Sequence, residues 1–119
     1  MQEKVTFSIK SKSYESLPMN VGRVIDFYKM RAYIASGQYQ NMYGDWANTP
    51  EPVLDMIDCK AFMSVMCPKF LEDIKPSSVD ELGLDDFEEV LGVFRKEIKP
   101  YLESLKEFLS KRDDKKSGS

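Results

Sequence analysis

The chain has no histidine and only two cysteines among its 119 residues. Without histidine it lacks the side chain most used for proton transfer near neutral pH and for metal binding. Cys59 and Cys67, carried on one helix at about 1.5 Å rise per residue, would stand roughly 12 Å apart, too far for a disulfide. They are expected as buried, unbridged thiols in a reducing compartment, because thiolate chemistry wants a basic neighbour and a metal site wants three or four ligands. No apolar run approaches the roughly 20 residues that cross a bilayer, and MQEKVTFSIK lacks the basic-then-apolar layout of a signal peptide. A cytoplasmic location away from membranes is expected. Net charge is only −3, with both signs mixed along the chain, so neither nucleic acid nor anionic lipid is expected as a partner. Phosphate loops, dinucleotide fingerprints, zinc knuckles and nucleophile elbows are all missing, and neither enzymatic activity nor a cofactor is expected.

What is present is ordinary globular material: 42% hydrophobic and 31% charged residues, enough apolar surface to bury a core. The pattern predicts an α+β fold, mostly α, in which a short N-terminal β-hairpin leads into a three- or four-helix core. One domain is expected over residues 1–109, with the hairpin at 3–18, the helices at 20–109 and a solvated tail at 110–119. Val5, Phe7 and Ile9 alternate with polar residues on a first strand, and Tyr14 to Leu17 pair back as a second. Because a two-stranded hairpin is marginal alone, its apolar face must lie on the helices or on another subunit.

Asn20 is the predicted N-cap of a first helix over about 20–36, with Val21, Val24, Ile25, Phe27, Tyr28, Ala32 and Ile34 at helical spacing. Thr49-Pro50-Glu51 reads as the start of a second helix running to about Met66, whose apolar residues wrap most of its circumference as a central helix requires. Pro68 then kinks the chain or begins a separate turn, and Ser78-Val79-Asp80-Glu81 has capping-box order before Gly83. Phe87, Leu91, Phe94, Ile98, Tyr101, Leu105 and Phe108 follow at alternating steps of four and three, a heptad seam on the last helix. Pro100 falls off that seam and is expected to bend the helix toward solvent.

Three constellations are candidates for chemistry or recognition. Asp55 and Asp58, three residues apart on the second helix, would suit acid-base or metal work if burial drove their pKa values apart. No third ligand or basic residue stands at helical spacing beside them, so they are expected as the wet edge of that helix. The acidic run Asp85-Asp86-Phe87-Glu88-Glu89 lacks the ligand spacing of a calcium loop and is expected as cap and dipole partners of the last helix. Six internal methionines are expected mainly as core filling. Tyr39, Tyr43 and Trp46 are the candidate partner-binding residues, large amphipathic rings in a connecting segment without core periodicity. They serve either as an anchor patch for a protein partner or as a lid over the core. The heptad seam is likewise either an intramolecular helix pair or an exposed docking face for a partner's helix. The expected partners are proteins, a homo-oligomer among them.

The order of elements carries a resemblance. The strand pair FSIKSKSYES, then PMNVGRVIDFYKMRAYIASGQY, then a Met- and Phe-rich helix ending MCPKFLEDI and a final amphipathic helix, together residues 5 to 109, resemble small tail-assembly and virion-associated proteins of long-tailed bacteriophages. The resemblance implies a non-enzymatic protein-binding assembly factor of a phage tail or neck. Alternatives are a permanent structural subunit of the virion, or an intracellular adaptor or regulator unrelated to phage. It assigns no residue a role, since no motif fixes a register.

Overall fold

The computed structural model describes residues 2–35, 49–74 and 82–117. Tyr39, Tyr43 and Trp46 lie outside the described residues, as does the capping-box sequence from Ser78 to Glu81.

A two-stranded antiparallel hairpin, β1 (Thr6–Ile9) and β2 (Lys12–Glu15), pairs Phe7 with Tyr14 and Ile9 with Lys12. The sequence predicts the return strand two residues later and a longer turn. Instead Lys10 and Ser11 alone make the turn, both at positive φ (53° and 66°), which matches the twist of the flanking strands but carries none of the Gly or Asn that usually announce it. The turn is held from outside: the Lys10 backbone N–H donates to Glu89 Oε2 at 3.0 Å, and its ammonium pairs with Asp86 at 2.8 Å. The apolar face of the hairpin, Val5, Phe7, Ile9 and Tyr14, is buried. It lies on the molecule's own helices, with Tyr14 meeting Phe70 edge to face at 5.4 Å.

Helix α1 spans Val21–Ile34, capped as predicted by Asn20, whose side chain accepts from the Arg23 N–H at 2.9 Å. Helix α2 spans Glu51–Met66. Its cap position is Pro50, one residue after the predicted Thr49, and Pro52 in the first turn needs no donor there. Ile57, Cys59, Ala61, Phe62, Met63 and Met66 are buried around its whole girth, the burial expected of a central helix. Cys67 takes an extended φ of −142° and ends α2, and Pro68 opens a separate short helix, α3 (Pro68–Ile74). The backbone N–H of Leu17 donates to Met66 O at 2.8 Å, tying the hairpin's exit to the end of α2.

The last helical run is α4 (Leu84–Val93), a π turn over Phe94–Ile98, and α5 (Lys99–Ser117). Pro100 explains the π turn. Having no N–H, it cannot bond Lys96 O, and the chain widens one turn so that the Lys99 N–H reaches Phe94 O five residues back. The proline is absorbed by this widening. The extra residue also changes phase: Val90, Phe94, Ile98, Tyr101 and Leu105 are buried, Phe87 and Leu91 are half-buried, and Phe108 is 56% exposed beyond the end of the core. Helix α5 continues to Ser117, through the stretch that the sequence predicts as tail. The core thus sits where α2 meets the hairpin face, α3 and the π turn, with Phe62, Phe70, Phe94 and Ile98 fully enclosed.

Candidate functional site

Two features stand apart from this packing: a charge cluster against α2 and an apolar outer face on α1. Asp55, expected in solvent, is 4% exposed. Its Oδ2 accepts from Arg95 Nε at 2.9 Å and its Oδ1 pairs with Lys99 Nζ at 2.9 Å, while the same ammonium meets Glu51 Oε1 at 2.7 Å. The basic partners of Asp55 come from far along the chain, Arg95 from the π turn and Lys99 from the start of α5. Asp58 is likewise paired, accepting from Arg31 Nε of α1. The cluster therefore clamps α2 to α1 on one side and to the π turn on the other.

Its electrostatics argue for a structural clamp over acid-base chemistry. Each oxygen of Asp55 is paired with a cation, and the side chain is buried. Burial pushes the Asp58 carboxyl above its ordinary value, the charge of Asp55 adding to the rise while Arg31 and Lys99 oppose it. Lys99 is held above the usual lysine range by its bonds to Glu51 and Asp55. Beside them the thiol of Cys59 is pushed up to about 12, first by burial and then by the charges of Asp58 and Asp55, so it stays protonated near neutrality and is a poor nucleophile. Cys67 is free, buried and raised by burial as well. On the far side of the molecule burial and the hydrogen bond to Asp73 (2.8 Å) raise the Tyr14 hydroxyl to about 12. Among the described residues no group of three His, Cys, Asp or Glu side chains is placed to hold a metal, and no helix is long and apolar enough to cross a membrane.

The raised carboxyl of Asp58 has a consequence for stability. A carboxyl whose folded pKa lies above its unfolded value binds more protons when folded, so stability rises as pH falls through the raised pKa toward the ordinary 3.8. Relative to Asp58→Asn, the parent protein is expected to gain stability on acidification, read as its urea midpoint moving up against the variant's as the pH is lowered from 7 toward the ordinary carboxylate value. A difference that moves the other way means the Arg31 pair outweighs desolvation.

Acidic residues opening α4 are placed as expected in its first turn, but the N-cap is Gly83 without a side-chain bond, and Asp86 is spent on Lys10. The second feature is the outer face of α1. The sequence counts Val21, Ile25 and Tyr28 among the apolar positions of that helix, yet only Phe27 and Ile34 are buried. Val21 is 77%, Ile25 49% and Tyr33 71% exposed. The reason is geometric: α1 packs mainly against α2, one neighbour covers one side of a helix, and the apolar residues of α1 occupy more than one side. A shallow depression of about 620 Å³ between α1 and α2, lined by Asp26, Lys29, Met30, Tyr33, Ser64 and Val65, adjoins this face.

Comparison with models of known protein families, with curated proteins and with solved structures finds no match to the chain.

Proposed function

We propose that this chain is a non-enzymatic protein-binding assembly factor, and that α1 presents its binding face. The observation that carries the reading is the solvent exposure of Val21, Ile25 and Tyr33 on a helix whose other side is packed. Apolar and aromatic side chains grouped in this way, beside a shallow depression, lose water when a partner surface covers them. The layout resemblance to small phage tail-assembly proteins supplies the setting, assembly of a phage tail or neck. Tyr39, Tyr43 and Trp46 extend the same proposal to the connection that follows α1, where large rings would anchor a partner.

Stability and partner binding separate the two roles an apolar residue can play. Ile25→Asp is expected to leave the melting temperature of the isolated chain nearly unchanged, because the side chain is half in water already. It should also abolish the chain's elution in a larger complex from cells that produce it with its natural neighbours. A variant that melts early, or one that still elutes in the larger complex, contradicts the assignment of this face.

A further inference from the structure

Helix α1 carries its exposed apolar side chains at a regular interval. Val21, Ile25, Tyr28 and Ala32 follow at steps of four, three and four, so at 3.6 residues per turn they fall within about 60° of arc, and all four are exposed. Asp26 and Lys29 stand together on one flank of this stripe, both exposed, and neither takes part in an ion pair among the described residues. Gly22 lies on the same flank, in the first turn. A Cβ there would meet nothing closer than Asn20 Oδ1 at 3.5 Å, an ordinary contact, so the fold itself makes no use of the space that the missing side chain leaves. The rest of the molecule lies behind: Phe27 and Ile34 are buried on the opposite side of α1, where α2 packs.

We infer that α1 is a self-association helix, on which α1 of a second copy lies antiparallel across a two-fold axis passing between residues 27 and 28. The inference rests on the reading of α1 as the binding face and names the partner that this face takes. Charge and shape select the occupant. In this register Asp26 of each copy stands level with Lys29 of the other, and no two like charges stand level anywhere along the pair. Gly22 of each copy stands level with Tyr33 of the other, giving that exposed ring the room which its own fold leaves unused. Along the stripe Tyr28 meets its counterpart at the axis, and Ile25 of one copy falls between Tyr28 and Ala32 of the other, the interdigitation that brings packed helices to about 8–10 Å. Every contact occurs twice, as an isologous interface requires. The two bodies lie on opposite sides of the helix pair, so nothing in the packing of either copy has to move.

The test is a charge exchange read by sedimentation equilibrium. One helix pair about 20 Å long is small beside a standard interface, so a dissociation constant of roughly 10–100 μM is expected, and at about 500 μM the parent should populate a mass twice the 13.7 kDa of one chain. Asp26→Lys and Lys29→Asp singly set like charges level with each other in both halves of the interface, and each is expected to weaken the dimer about tenfold or more. The double variant, Asp26→Lys with Lys29→Asp, restores both pairs in reverse and is expected to return the parent's dissociation constant to within about threefold. Gly22→Leu fills the space under Tyr33 and is expected to weaken the dimer about tenfold while holding or raising the melting temperature of the monomer, because leucine favours a helix more than glycine does. Thermal melts of the charge variants at a concentration where all are monomeric are expected to agree with the parent within a few degrees, so that lost dimer is not lost fold. A parent that stays monomeric, variants at Gly22, Asp26 or Lys29 that dimerise like the parent, or a double variant no better than the singles each overturns the inference. A monomeric parent whose complex with its natural neighbours is still lost on Ile25→Asp leaves the broader reading of the face standing, and that reading fails instead through a complex that survives Ile25→Asp.

Discussion

Ile98→Asp is expected to remove a large part of the chain's folding stability. Ile98 is completely enclosed at the end of the π turn, beside Phe94 and in line with Tyr101, and the substitution both removes an aliphatic side chain and places a carboxylate where no described partner reaches. The lost burial costs about 3 kcal/mol and the stranded charge adds to it, for a total of about 4 kcal/mol or more. A domain this size commonly holds roughly 5–15 kcal/mol in total. Ile98→Val is the control, with an expected loss of about 1 kcal/mol. Far-UV circular dichroism of the aspartate variant is the measurement. A cooperative melt within about two degrees of the parent would mean that the last helix is a docking face and not part of the core.

Asp55→Ala is expected to cost about 2–4 kcal/mol, read from the urea midpoint. Removing one member of a buried ion pair leaves the other charged in a poor environment, typically at about 3–5 kcal/mol. The lower figure applies here because the Arg95 and Lys99 side chains are 46% and 28% exposed and can turn part of their charge to water. Asp55→Asn, which keeps the shape and an acceptor but not the charge, should fall between parent and alanine. A loss below about 0.5 kcal/mol for Asp55→Ala would return the residue to the solvated edge that its sequence position implies.

That contrast marks what a sequence of this kind discloses. The hairpin, the Asn20 cap, the girth of α2 and the buried line Phe94, Ile98, Tyr101 and Leu105 were all legible, because each is written in local spacing that the backbone must obey. The burial of Asp55 was not. Its partners lie 40 residues away in Arg95 and, one turn beyond, in Lys99, and only the packing of the π turn against α2 brings them together. The two-residue turn at Lys10–Ser11 escaped for a different reason: its positive φ values come without the glycine or asparagine that would have signalled them, and its contacts to Asp86 and Glu89 lie far along the chain. On α1 the period was right and its meaning was not. Helical spacing identifies apolar faces but does not say how many neighbours will arrive to cover them, and α1 leaves Val21, Ile25 and Tyr28 exposed. The candidate interaction face was therefore present in the sequence as supposed core, while the rings chosen for that role, Tyr39, Tyr43 and Trp46, lie outside the described residues.

The most direct measurement places a photo-crosslinking amino acid at Ile25 and, as a control, at exposed Glu72 of α3, and irradiates cells producing the chain together with its natural neighbours. A face that binds protein gives a discrete adduct from position 25, reproduced from position 21, and none from position 72. Absence of adduct at positions 21 and 25, or the same adduct from all three, would show that the outer face of α1 meets only water and would contradict the proposed function.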